Sequence, residues 1–186
     1  MKNAQAEKGK SPSWNAVKAA LADCDRLGLL KVLQDLYHLD KSNQSFFHAR
    51  FLTDSDALET YKERIYKSLA PDLYKSPNQD VSVAEAKRAV SEYRKAVGRA
   101  EDMLELHVFW CEAASDFTME YGYADEGYFD ALIRQYELAL KQLNSVDEAT
   151  RNAASDRLLH VRNKTDCGYG VRDDMNALLD EYGIVR

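Results

Sequence analysis

The chain has few of the residues that a β-rich or a disulfide-bonded protein needs. Among its 186 residues are only 8 glycines and 3 prolines, too few for the many tight turns of an all-β fold. The three cysteines, Cys24, Cys111 and Cys167, are odd in number and widely spaced. This pattern favours reduced thiols over a disulfide framework. No stretch alternates apolar and polar residues between turn signals, so strands are not expected.

Long apolar runs are absent as well. The longest are a few residues, against about 20 needed to span a bilayer, so no membrane partner is expected. The N-terminus carries lysines without an apolar segment, which argues against a secretory signal and, with the unpaired thiols, favours a cytoplasmic location. A net charge of −6 makes nucleic acid an improbable general partner, because phosphate contacts require basic surfaces.

What the chain does contain is a series of helix signals. Residues 1–12 are polar and aperiodic and are predicted to be a disordered tail, followed by a single all-helical domain over residues 13–186. Predicted helix starts and ends are marked by Ser13, Asp25, Asp40, Ser82, Ser145, Gly98, Gly122 and Gly183. These signals predict an all-α fold, an irregular multi-helix bundle or helical array of about eight to nine helices. In the first helix, Trp14, Val17 and Leu21 are expected on the inner face.

The segment 99–122 is expected to be the central helix, because its apolar band is wide and bulky. Its opposite face carries an acidic stripe, in which Glu105, Glu112 and Asp116 are candidate metal ligands. With His107 or His160, this stripe is the basis for an alternative function as a small metal-assisted hydrolase or nuclease. The pairing of Glu with His three residues later, typical of di-iron bundles, is absent, and no cofactor is predicted.

A basic face on the helix predicted over residues 83–98 supports a second alternative function. Lys87, Arg88, Arg94 and Lys95 lie off its apolar side. Such a face can meet nucleic-acid phosphates, or it can pair with the acidic stripe of the next helix.

Tyrosines supply the leading functional hypothesis. The chain has 11 of them, and Tyr121, Tyr123, Tyr128 and Tyr169 fall in two segments, YGYADEGYF and CGYG. Tyrosine combines a flat apolar body with a hydroxyl and is enriched at binding surfaces. We therefore expect a non-catalytic protein-interaction module that binds a protein partner, or a second copy of itself, at a corner formed by these two segments. Cys167 lies in the CGYG loop, and the nearby Lys164 and Arg172 are expected to lower its pKa.

Several segments, taken in order, resemble a family of small, uncharacterised bacterial all-helical proteins. They are LQDLYHLDKSNQSFFHARFL (33–52), ETYKERIYKSLAPD (59–72), AEAKRAVSEYRKAVG (84–98), FTMEYGYADEGYFDAL (117–132) and GYG (168–170). The resemblance covers roughly residues 13–183. It implies a compact helical bacterial protein in the cytoplasm and implies no reaction. The family's last loop usually continues with an aromatic and a polar residue, where this chain has Val171 and Arg172.

Overall fold

A computed structural model describes residues 13–52, 57–74 and 80–184. These described ranges contain nine α-helices and no strand, which confirms the predicted all-α class and the helix number. The helices are α1 (Trp14–Ala22), α2 (Arg26–Leu39), α3 (Lys41–Phe51), α4 (Ala57–Leu69), α5 (Val83–Ala96), α6 (Ala100–Tyr121), α7 (Glu126–Gln142), α8 (Glu148–Lys164) and α9 (Val171–Glu181). None of them, in the part of the chain described, is long and apolar enough to cross a membrane. The tail predicted over residues 1–12 lies outside the described residues.

Most helix ends fall where the local sequence signals predict them. The side chains of Ser13, Asp25 and Ser82 each accept a hydrogen bond from the backbone N–H three residues later. Gly98 has φ = 65°, a left-handed conformation that lets the chain turn from α5 into α6. A β-carbon there would lie 2.6 Å from the carbonyl oxygen of Arg94, so glycine is required.

The predicted start of α8 at Ser145 is wrong. Ser145 ends a short 3-10 turn that extends α7, and Asp147 caps α8 instead. The Asp147 carboxylate accepts hydrogen bonds from the Thr150 backbone N–H at 3.0 Å and from the Thr150 hydroxyl at 2.7 Å. A carboxylate gains more than a hydroxyl at this position, because it also interacts with the positive end of the helix dipole.

Contacts within the chain define two compact units, residues 1–44 and 45–186. The single domain expected over 13–186 stays a prediction. In the first unit, α1 and α2 contain no buried residue. The inner face predicted for α1 is therefore wrong: Trp14 is 68% exposed and Val17 is also exposed, while Leu21 is only partly covered. Two short helices offer too little apolar surface to enclose such side chains.

The second unit is organised around α6. This helix packs against α4, α7 and α8, and α9 packs against α7 and α8. Two large side chains of α6, Trp110 and Phe117, are almost fully buried, as the central-helix prediction requires. Each buried side chain of this kind contributes roughly 1.5–3 kcal/mol of burial free energy. This packed core around α6 holds the surface residues of the second unit in defined positions.

Candidate functional site

Three carboxylates of the acidic stripe of α6 pair with basic residues of two neighbouring helices, α4 and α8. Arg157, on α8, donates two hydrogen bonds to Glu112, at 2.8 and 2.7 Å, and two to Glu105, at 2.5 and 3.3 Å. Lys62, on α4, lies 2.7 Å from Glu105. Asp116 is separate from this group and pairs with Lys164 at 2.5 Å.

These pairs change the chemistry that the stripe can perform. Burial opposes ionisation of Glu105, but the hydrogen bonds from Arg157 and Lys62 outweigh it and hold the pKa of Glu105 below its ordinary value. The carboxylates proposed as metal ligands are therefore already neutralised by cations of the protein. In the ranges that the structure describes, no group of three or more His, Cys, Asp or Glu side chains converges as a metal site requires.

His107 lies in the core rather than on a working surface. Its Nδ1 is 2.6 Å from the side-chain oxygen of Gln135, on α7, and both residues are buried. Burial lowers the pKa of His107 to about 4, and the charge of Arg94 acts in the same direction, against the opposing effect of the Gln135 hydrogen bond. The ring is neutral near pH 7 and serves as a buried hydrogen-bonding group. His160 is exposed on α8.

The cysteine environments do not activate a thiol. Burial raises the pKa of Cys111, which lies fully inside the core. Burial also raises the pKa of Cys167, with Asp166 adding to the rise. Arg172 opposes this shift and is too weak to reverse it, so the predicted lowering of the Cys167 pKa is wrong.

The basic face of α5 remains at the surface. Lys87, Arg94 and Lys95 are exposed, while Arg88 pairs with Glu92 at 3.0 Å and lies 3.8 Å from Glu85. The acidic stripe takes its partners from α4 and α8 and not from this face. Glutamates thus interrupt the basic face, which lessens the field that it presents to a phosphate backbone.

The four predicted tyrosines belong to one chain of aromatic contacts at the C-terminal end of α6. Phe117 contacts Tyr121 and Tyr123 with ring centres 5.0 and 5.3 Å apart, and Tyr123 contacts Tyr128 at 5.0 Å. The chain continues through Phe129, whose ring centre is 5.5 Å from that of Tyr169. We call this cluster, Phe117, Tyr121, Tyr123, Tyr128, Phe129 and Tyr169, the aromatic corner. The structure thus brings together the two segments that the sequence singled out.

The tyrosines of the aromatic corner differ in exposure and so in role. Tyr128 is 1% exposed, and its hydroxyl donates a hydrogen bond to the Leu69 carbonyl at 3.0 Å. Burial raises its pKa, so the hydroxyl stays protonated as a donor. Tyr128 supports the corner from beneath and offers no free surface. Tyr121 and Tyr123 are partly exposed, and Tyr169 is 77% exposed.

Tyr169 owes its position to an unusual backbone. Gly168, Tyr169 and Gly170 have φ values of 79°, 53° and 75°, three consecutive left-handed residues. The conformation costs a tyrosine about 1 kcal/mol or more, whereas glycine adopts it freely. The loop therefore presents the Tyr169 ring outward with one face against Phe129.

Beside Tyr169 lies a cleft of about 380 Å³. Its aromatic side is Phe129 and Tyr169, and it is also lined by four carboxylates, Asp125, Glu126, Asp130 and Asp174. Within the described residues, Glu126, Asp130 and Asp174 form no ion pair, while Asp125 caps α7. None of these four carboxylates was predicted from the sequence as a site residue. The phrase DEGYFD carries three of them next to aromatic residues, but Asp174 comes from another helix and has no local signal.

Comparisons with models of protein families, with curated proteins and with solved structures find no match to this chain. The resemblance to a bacterial all-helical family accordingly stays a prediction.

Proposed function

We propose that this chain is a non-catalytic protein-interaction module and that the exposed part of the aromatic corner, centred on Tyr169, is its binding surface. One observation carries the proposal: Tyr169 is 77% exposed, yet it is held by ring contact with Phe129 and by its left-handed backbone. An exposed aromatic ring that is already ordered loses little conformational entropy when it binds. Tyrosine is also among the residues that contribute most to the free energy of protein binding.

The pairing of the acidic stripe supports this role over the metal-assisted alternative. Glu105 and Glu112 bind Arg157, so a metal ion would have to displace an arginine that makes four hydrogen bonds. The partner is expected to be another protein or a second copy of this chain. A cytoplasmic location and a bacterial origin remain part of this proposal as predictions.

Photo-crosslinking tests the proposal at the residue that carries it. Tyr169 is replaced by p-benzoylphenylalanine, and the protein is illuminated in an extract of the cells that produce it. Phe51 is the matched control position, because it is 69% exposed and follows Arg50, which donates a hydrogen bond to the carbonyl of Ala96 at the end of α5, outside the aromatic corner. We expect adducts of defined mass at position 169 and none at position 51.

Competition decides whether such an adduct is specific. Excess unlabelled wild-type protein should remove it, and excess Tyr169→Ala protein should not, because the loss of a central aromatic contact typically weakens binding about tenfold or more. An adduct of twice the chain mass would identify the partner as a second copy. Crosslinking at position 169 no stronger than at position 51 would contradict the proposal.

A further inference from the structure

We infer that the cleft between Tyr169 and the first turn of α7 receives an arginine side chain from the protein partner. This inference rests on the proposed interaction role and specifies the chemistry of the partner. It is carried by three observations: unpaired carboxylates in a cleft, an aromatic wall beside them, and a buried hydroxyl without a partner in an adjoining cavity.

The charge of the cleft selects a cation. Four of its nine lining residues are acidic, and none of the basic residues in the described ranges lines it. The cleft lies at the first turns of α7 and α9, and each helix N-terminus contributes about half a positive charge. Two such ends offset about one of the four negative charges, so the field in the cleft is strongly negative. It can attract a basic group and repel an acidic one.

The shape of the cleft favours a guanidinium over an ammonium group. Its aromatic wall is formed by Phe129 and Tyr169, whose rings are inclined by 36°. A planar guanidinium stacks on such rings and donates up to five hydrogen bonds to surrounding carboxylates. An ammonium is compact, strongly hydrated and less suited to stacking. A cleft of about 380 Å³ falls within the range of protein ligand sites, roughly 300–1,000 Å³, at the small end that suits one side chain.

A second cavity is also lined by Tyr169. It has a volume of about 270 Å³ and shares Ala124 and Tyr169 with the acidic cleft. Thr118 also lines it, is 2% exposed, and has a hydroxyl without a hydrogen-bond partner among the described residues. Buried hydroxyls are normally paired, so the covered hydroxyl of Thr118 keeps an unused hydrogen-bonding capacity next to this cavity. We place the backbone that follows the arginine here, with the chain passing over Tyr169.

Nuclear magnetic resonance with a small probe tests this inference directly. N-acetyl-arginine amide is titrated into the isotopically labelled full chain up to about 50 mM, which detects even millimolar binding. We expect saturable shifts of the Gly168, Tyr169 and Asp174 amides. N-acetyl-citrulline amide, which has the same shape without the charge, should bind at least tenfold more weakly.

Substitutions test whether the carboxylates of the cleft bind the arginine. Asp130→Asn with Asp174→Asn should weaken arginine binding at least tenfold. Glu148→Gln with Glu181→Gln removes the same net charge at exposed positions outside the cleft and should leave binding unchanged. Thr118→Val should weaken acetyl-arginyl-alanine amide, which extends beyond the arginine, more than N-acetyl-arginine amide. Equal effects on the two probes would overturn the placement of the backbone at Thr118.

Other results would overturn the inference as a whole. They are equal binding of citrulline and arginine amides, no shift at the highest concentration, or equal shifts with magnesium chloride at the same ionic strength, which would indicate a general cation site. A dimer of the free protein that dissociates in the Asp130→Asn, Asp174→Asn variant would instead support the inference, with a second copy of the chain as the partner. If specific crosslinks at position 169 persist while the probe titrations give one of the three contradicting results, the interaction role stands and only the arginine inference fails.

Discussion

At the scale of single residues, His107 links the folding of this chain to pH. Its ring is buried beside Gln135, and its pKa is lowered to about 4 in the folded state. In the unfolded chain the pKa is about 6.5, so between pH 6.5 and 4 the unfolded state binds more protons. The contribution of His107 to stability is therefore complete above about pH 6.5 and is lost as the pH falls towards 4.

Replacing His107 by glutamine should remove this part of the pH dependence. A shift of this size corresponds to about 3 kcal/mol, so between pH 7 and 4 the wild type should lose about 3 kcal/mol more free energy of unfolding than His107→Gln. Urea denaturation at several pH values measures the difference. His160→Gln, which alters an exposed histidine on α8, should retain the wild-type dependence. Parallel curves for wild type and His107→Gln would contradict the assignment.

Two glycines near the aromatic corner should respond in opposite ways to replacement by alanine. A β-carbon at Gly170 would meet nothing within 4 Å, but its φ of 75° is unfavourable for alanine. Gly170→Ala should therefore destabilise the chain by about 1 kcal/mol and loosen Tyr169 from Phe129. Gly127→Ala, inside α7, should stabilise by about 0.5 kcal/mol because helical alanine loses less entropy. Thermal melting measures both stability changes, and the contact between the Tyr169 and Phe129 rings is measured in each variant. Equal effects of the two substitutions would refute the claim that the left-handed backbone at Gly170 holds Tyr169 in place.

At the scale of helices, Arg157 connects α8 to two carboxylates of α6. Arg157 is 35% exposed, so solvent screens part of its interaction with Glu105 and Glu112. We expect Arg157→Met to lower the free energy of unfolding by about 1–3 kcal/mol, because it leaves two partly buried carboxylates without their main donor. Lys67→Met, which removes an exposed pair with Glu63, should change it by about 0.5 kcal/mol or less. Denaturant unfolding measures both changes. Equal changes would show that the bonds of Arg157 to Glu105 and Glu112 stabilise the fold no more than an exposed ion pair does.

Helix positions could be predicted from the sequence because their signals are local. Ser82 and Gly98 act on residues within one turn, so spacing along the chain is sufficient to find them. Ser145 misled the prediction because Asp147, two residues later, is the stronger cap. Packing within the site is not local: Arg157 reaches a glutamate 52 residues away, and no spacing rule indicates such a pair.

At the scale of the second unit, the sequence predicted which aromatic segments meet but not how deeply each residue lies. The glycines around Tyr169 and the tyrosines near the end of α6 indicated a shared corner. Tyr128 is buried and its hydroxyl bonds to the Leu69 carbonyl, 59 residues away, a contact that only the folded chain reveals. The carboxylates of the cleft come from α7, α9 and the residue before α7, so they too form a site only after folding.

The most direct measurement is a calorimetric titration of the purified partner, identified by crosslinking at position 169, into three forms of the chain. Wild type and Phe51→Ala should bind with the same affinity, because Phe51 lies outside the aromatic corner. Tyr169→Ala should bind at least about tenfold more weakly while its unfolding curve stays that of the wild type, because its exposed ring contributes to binding more than to folding. Equal affinities for wild type and Tyr169→Ala would contradict the assignment of the aromatic corner as the binding surface.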